Sequence, residues 1–371
     1  MKLEALELVR VRMPLVRPFR TSFGLQDERH VLLVRAITDV AEGWGECVAG
    51  DEPIYNEEYV DGAEHVIRHW LAPALFACEP AERLTAATVA PALARYRGHL
   101  MAKAALESAL LDAQLRAAGM PLVDFLGGVR DRTDSGVSLG ITNTVDELLD
   151  RIGGCLAAGY RRIKLKVQPG WDVGPLTAVR ERFGDDLLLQ VDANTAYRRA
   201  DIPHLRQLDR FGLLLLEQPF EPDDFGTHAE LARTTATPVC LDESILSAEN
   251  AAAAISAGAC DVVNIKAGRV GGLLEARRVH DVCSAFGIPV WCGGMLETGV
   301  GRAANVALAT LPGFTLPADT AASELYYRVD VTEPFVLEDG GLRVPEGAGI
   351  GVRVREDVLA ELGAERERLR P

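Results

Sequence analysis

From about residue 134 the hydrophobic pattern alternates between short apolar runs and longer amphipathic stretches. The runs at 136–141, 163–167, 187–191, 213–216, 239–241, 262–265, 290–292 and 314–316 have the length of buried strands. Between them, 145–158, 250–257 and 273–286 read as helices, with Gly159, Gly258 and Gly287 where helix C-caps are expected. Such alternation specifies a parallel sheet, and eight units favour closure into a (β/α)8 barrel. The first third differs: 6–13 and 31–38 read as strands, and 56–127 as mostly helical with Ala- and Leu-rich periodicity. The chain therefore predicts an α/β fold with an α+β module over 1–128, a barrel over 129–320, and a mixed tail over 321–371 that packs back on the first module.

Charge falls on this rhythm. Asp192, Glu217 and Asp242 each end an apolar run at steps of 25 residues, Lys266 follows 24 residues later, and Lys166 precedes Asp192 by 26. In a barrel the C-terminal strand ends share one mouth, so these side chains converge. Side chains alternate faces along a strand, so Lys164 and Lys166 point together into that mouth while Ile163, Leu165 and Val167 point away. Three carboxylates are hard oxygen donors suited to Mg²⁺, with Mn²⁺ or another divalent ion as substitute. Asn194 is a candidate hydrogen-bond partner of this set; Glu243, beside Asp242, reads equally as such a partner or as a surface acid. A metal and cations around a lysine suit proton removal next to a carboxylate, because they neutralise charge that appears only along the reaction. The base must first lose its own proton, against a free lysine pKa of about 10.4, and Lys164 with the metal would supply the positive charge that lowers it.

Composition narrows the partners. The net charge of −15, without a Lys/Arg-rich tract, disfavours nucleic acid and anionic membranes and leaves a small molecule. No apolar run approaches the roughly 20 residues of a membrane span, and Met1-Lys2-Leu3-Glu4 opens no signal-like segment, so a cytoplasmic location is expected. Seven scattered cysteines without a Cys-x-x-Cys pair suit reduced thiols, and the histidines do not suggest zinc-type hydrolysis.

Six segments carry a resemblance: Ile163-Lys-Leu-Lys-Val-Gln-Pro-Gly-Trp-Asp172, Val191-Asp-Ala-Asn-Thr-Ala-Tyr197, Glu217-Gln-Pro219, Leu241-Asp-Glu-Ser244, Asn264-Ile-Lys-Ala-Gly-Arg-Val-Gly-Gly272 and Trp291-Cys-Gly-Gly-Met-Leu-Glu-Thr-Gly-Val-Gly-Arg302. They resemble the enolase superfamily, and within it the family of o-succinylbenzoate synthases and N-succinylamino acid racemases, over essentially the whole chain. The superfamily's general chemistry is a lysine or histidine base with Mg²⁺ holding an enediolate. The resemblance implies an enolase-type modified barrel of seven or eight strands under an α+β capping domain whose loop at 17–24, with Phe19 and Phe23, closes on substrate. It implies Asp192, Glu217 and Asp242 as metal ligands, Lys166 and Lys266 as acid/base pair, and Lys164 as contact to the substrate carboxylate. Ser138, Gly294 and Met295 would line the pocket of a succinyl arm, and Arg269 matches a substrate-site arginine associated with racemase competence. Relatives form dimers or octamers, so a homo-oligomer is expected. Two departures, Ala267 in place of a frequent proline and Phe220 in place of a frequent leucine, could reshape the pocket.

The resemblance points first to dehydration of a succinyl-hydroxycyclohexadiene carboxylate to o-succinylbenzoate, a menaquinone-pathway step, with racemisation of N-succinylamino acids as close competitor. Dipeptide epimerases use an Asp-x-Asp where this chain has Asp319-Thr320-Ala321, and no histidine follows His280 to serve as a mandelate-racemase-type base. A different class has one foothold: Gly299-Val300-Gly301-Arg302-Ala303-Ala304 fits the Gly-x-Gly-x-x-Ala pattern of an NAD-binding oxidoreductase, with Asp319 lying 20 residues beyond Gly299.

Overall fold

The structure is a computed structural model that describes residues 1–78, 80 and 84–371. Strands β1 (Leu3–Arg20), β2 (Leu25–Thr38) and β3 (Glu42–Cys47) form an antiparallel meander, and the C-terminal β13 (Glu365–Leu369) adds to its edge in the order β13-β1-β2-β3. The tail thus returns to the N-terminal module. The long helix Leu100–Ala118 lies on this sheet, burying Ala102, Ala105, Leu106, Ala109 and Leu110. β3 escaped the sequence reading because Glu42-Gly-Trp-Gly-Glu-Cys47 has the composition of a turn; a Cβ on Gly45 would stand 2.2 Å from the Ala105 carbonyl oxygen, so glycine admits the helix. The expected closing loop at 17–24 is shorter than predicted: β1 runs through Arg20, and a turn at 21–24, fastened by Thr21 N to Gly24 O at 2.9 Å, leads into β2.

The second sheet has seven parallel strands: β5 (Gly136–Leu139), β6 (Arg162–Lys166), β7 (Leu188–Asp192), β8 (Leu216–Glu217), β9 (Val239–Leu241), β10 (Val262–Ile265) and β11 (Val290–Cys292), in sequential order. The eighth predicted strand, 314–316, is not a strand among the described residues. Its segment still bridges both edges of the sheet: Thr315 N meets Val290 O at 3.2 Å and Asp319 N meets Cys292 O at 2.8 Å on one side, while Gly136 N meets Ala318 O at 2.7 Å on the other. Pro317 has no N–H to continue a ladder, so closure runs through single bridges. A short pair, β4 (Arg132–Asp134) with β12 (Gly341–Arg343), completes the strands.

Helices Val145–Ala157, Ala248–Ser256 and Leu273–Ala285 fill predicted positions, and Gly159, Gly258 and Gly287 have positive φ at their ends. Leu215, Cys240, Val262 and Trp291 pack together in one buried cluster contributed by successive barrel units. All seven cysteines are free, and no helix among the described residues is long and apolar enough to cross a membrane.

Candidate active site

Parallel pairing places Lys166 opposite Asp192 and Asp192 opposite Glu217, so three strand ends present their charges in one row. Asp242 and Lys266 follow β9 and β10 immediately. Lys166 Nζ donates to Asp192 Oδ2 and to Asn194 Oδ1, both at 2.6 Å. Lys266 Nζ donates to Asp242 Oδ2 at 2.7 Å and to the Tyr55 hydroxyl at 3.2 Å. Lys164 Nζ lies 2.6 Å from Asp319 Oδ2, 3.3 Å from Glu217 Oε2 and 3.4 Å from Asp192 Oδ2, above the Trp291 ring at 4.7 Å. Asn194 donates to Glu243 Oε1 at 2.9 Å, which resolves Glu243 as a buried partner and not a surface acid. Asn194 and Gln218 hold left-handed backbone at φ 41° and 38°, conformations that non-glycine residues keep where surrounding structure imposes them. Gln218 earns this by bridging strands: its Oε1 accepts from Asp242 N at 2.9 Å and its Nε2 donates to Ser244 Oγ at 2.8 Å.

Lys164, Lys166, Asn194 and Lys266 line a cavity of about 390 Å³ together with Phe19, Phe23, Ser138, Gly294 and Met295, while Asp192, Glu217 and Asp242 lie behind the lysines outside the lining. The Ser138 hydroxyl is buried without a hydrogen-bond partner in the protein. Arg269 does not line this cavity: it is buried behind Asp242, bonded to Asp242 Oδ1, to Ile245 O at 2.8 Å and to Asn264 O at 2.6 Å, because the short helix Ala267–Val270 turns it inward. Arg269, expected at the substrate site, thus contacts Asp242 and stands outside the cavity lining. Ala267 and Phe220 are buried outside the lining. Sequence reasoning missed Tyr55, which reaches Lys266 and Asp242 from an irregular loop that carries no periodic signal. It also missed the pairing of Asp319 with Arg162 Nη1 at 2.7 Å and with Lys164.

The electrostatics are those of a dense ionic cluster. Burial and the neighbouring Asp192 push Glu217 above the usual carboxylate range. Burial acts the same way on Asp242, but Lys266 and Arg269 outweigh it and hold Asp242 low. Burial alone would lower Lys164 and Lys266; Asp319, Glu217 and Asp192 raise the first, and Asp242 raises the second. For Lys266 the shift is thus upward while Asp242 faces it, opposite to the drop a base needs. Among the described residues no three His, Cys, Asp or Glu side chains converge as a metal-holding group. Their oxygens turn instead to the lysines. Asp192, Glu217 and Asp242 nevertheless fit a divalent ion in donor chemistry, and the raised Glu217 marks a point where negative charge is in excess. The pair His65 and His69, spaced one helical turn apart, have ring centroids 4.2 Å apart at a tilt of 32° and belong to no such group.

The dinucleotide reading is overturned by the helix Gly299–Leu308 itself. Its N-terminal donors are taken by carboxylates of the chain: Glu46 accepts from Thr298 Oγ1 at 2.6 Å and Gly301 N at 3.0 Å, and Asp330 accepts from Gly299 N at 2.8 Å. A phosphate would meet negative charge there.

Comparison with known proteins agrees with this geometry. Residues 147–358 match the family described as enolase C-terminal domain-like, and residues 5–127 match the mandelate racemase / muconate lactonizing enzyme N-terminal domain. An N-succinylamino acid racemase of Amycolatopsis sp is 63% identical over 362 residues, covering 98% of each chain. An o-succinylbenzoate synthase of Geobacillus kaustophilus is 46% identical, covering 95% of this chain and 93% of the relative. The crystal structure of an enolase superfamily member from Listeria innocua Clip11262 superposes with a TM-score of 0.94 at 35% identity, covering 100% of this chain and 99% of that one. Strand-end chemistry, closed parallel sheet and full-length similarity together establish that the chain belongs to the enolase superfamily.

Proposed function

We propose that the protein removes the proton α to the carboxylate of a small succinylated substrate, dehydrating a succinyl-hydroxycyclohexadiene carboxylate to o-succinylbenzoate and racemising N-succinylamino acids in the same site. The observation that carries this reading is that Lys166 and Lys266 line one cavity yet rest on different carboxylates, Asp192 and Asp242, at separate strand ends. Two independently held bases can serve the two faces of one α-carbon. Lys164 is the cation for the substrate carboxylate, and Ser138 Oγ offers an unused hydrogen bond to the succinyl arm beside Gly294 and Met295. In dehydration Lys166 takes the α-proton and returns it to the departing hydroxyl on the same face, while Lys266 contributes charge. In racemisation one lysine takes the proton and the other delivers one from the opposite side.

Superfamily enzymes with these activities are generally divalent-metal dependent; for this chain we assign Mg²⁺ to Asp192, Glu217 and Asp242. Once bound, the cation supplies positive charge against the substrate carboxylate as it gains electron density. The racemase channel is favoured by Arg269, which grips Asp242 directly behind Lys266, and by the 63% identity to a racemase. Residues 1–128 with 321–371 form the cap in this reading, and 129–320 the barrel.

A paired assay with Mg²⁺ tests the proposal: formation of o-succinylbenzoate, and loss of optical rotation by N-succinyl-L-phenylalanine. Turnover of at least one substrate is expected. Absence of both reactions, with fold and metal content verified, would refute it.

A further inference from the structure

The turn that bears Lys266 packs closely against the cap. Lys266 opens the short helix Ala267–Val270, and Gly271 and Gly272 lead into the helix Leu273–Ala285. Three glycines of this turn each face a cap residue: an added Cβ would lie 2.3 Å from Val48 Cγ2 at Gly268, 3.3 Å from Leu100 Cδ2 at Gly271 and 1.8 Å from Glu107 Oε2 at Gly272. Glu107, buried in the long cap helix, accepts from Leu273 N at 3.1 Å and Leu274 N at 3.3 Å. One cap carboxylate therefore serves as the helix cap for the segment that follows the catalytic lysine. Tyr55 is a fourth cap residue at this turn, in contact with Lys266 Nζ itself.

The other side of the cavity is built differently. Lys166 is held by Asp192 and Asn194, both of the barrel. The cap reaches that side through the partly exposed Ser22 hydroxyl, at 3.2 Å from Ala193 O and 3.3 Å from Asn194 O.

Building on the proposed function, we propose that Val48 and Glu107 are positioning residues whose seat on the glycine turn sets the place of Lys266 but not of Lys166, so that cap packing controls proton transfer on one face of the substrate. A misplacement of about 1 Å costs on the order of a hundredfold in rate, so small shifts of this seat are legible in kinetics.

Gly268→Ala is the discriminating variant, because Gly268 has no positive φ and the three atoms nearest the added methyl all belong to Val48. Adding Val48→Ala returns the space. Exchange of the α-proton for deuterium is followed by NMR with each enantiomer of N-succinylphenylalanine separately. Gly268→Ala and Glu107→Ala are expected to slow exchange with one enantiomer by about tenfold to a hundredfold while the other stays within about twofold, and Gly268→Ala/Val48→Ala is expected to recover most of the loss. Equal loss with both enantiomers in a folded variant, or no loss with either, overturns the proposal. Hydrogen-exchange mass spectrometry reads the seat without any substrate: faster amide exchange over 266–274 with 162–167 unchanged is expected, and unchanged protection over 266–274 overturns it. If the wild type exchanges neither enantiomer, the proposed function fails, and the amide-exchange result still decides the seat.

Discussion

Lys266→Ala separates the two faces of the site. The substitution removes an ammonium that lies 2.7 Å from Asp242 Oδ2, but Asp242 keeps Arg269 on its other oxygen and the Tyr55 hydroxyl at 3.1 Å. The buried carboxylate therefore stays compensated, and the fold is expected to survive. A positioned acid–base group contributes about 10²- to 10⁴-fold, which is roughly 3 to 5.5 kcal/mol at about 1.4 kcal/mol per decade. The upper half of that range applies, because Tyr55, the other proton carrier touching Lys266, has its hydroxyl raised far above its usual value by burial and by Asp242. Racemisation of N-succinyl-L-phenylalanine should fall at least about 10³-fold by polarimetry. Deuterium exchange into the enantiomer served by Lys166 should persist within about 10²-fold, since Lys266 gives that half-reaction only charge. Racemisation within tenfold of wild type, or equal collapse of exchange with both enantiomers, would refute the assignment of one lysine to each face.

Chelator treatment should bring activity to background, and Mg²⁺ or Mn²⁺ should restore it; Glu217→Gln should abolish the calorimetric signal of cation binding, and undiminished binding would remove Glu217 from the ligand set. Arg162→Met should destabilise the protein by about 3 kcal/mol in urea unfolding, the low end for a broken buried ion pair, because Asp319 loses one partner but keeps Lys164 at 2.6 Å. Burial pushes Glu107 up to about 8 and Glu46 up to about 7 from 4.5. An acid raised on folding contributes stability present below its unfolded value and lost as pH rises through the folded one, so thermal stability should decline between about pH 4.5 and 8. Glu107→Gln should flatten that decline in a melting series, and an unchanged slope would show that Glu107 does not titrate in this window.

Much of the barrel was readable because one strand plus one helix consumes a nearly constant length of chain. Val239–Leu241, Val262–Ile265 and Val290–Cys292 fall where the apolar runs lie, and Asp242 and Lys266, just beyond the first two, mark the mouth. Local rules failed where packing overrode them. Glu42–Cys47 looks like a turn but is a strand, since its glycines are required by the helix above. The run at 314–316 looks like a strand but forms only bridges, since Pro317 interrupts the ladder.

The sequence by itself determined which charged side chains share one mouth, because period and strand alternation are properties of the covalent chain. Only the tertiary structure decided how those charges are paired. That Arg269 faces Asp242 and not the cavity, that Asp319 joins Arg162 to Lys164, and that Tyr55 leans onto Lys266 all depend on contacts between residues 27 to 211 positions apart. The same holds for the glycines at 268, 271 and 272, whose spacing resembles a loop signal but which face, in turn, a valine, a leucine and a carboxylate of the cap. Close packing of buried charge is a property of the assembled interior, where low polarity makes each partner count and no periodicity announces it.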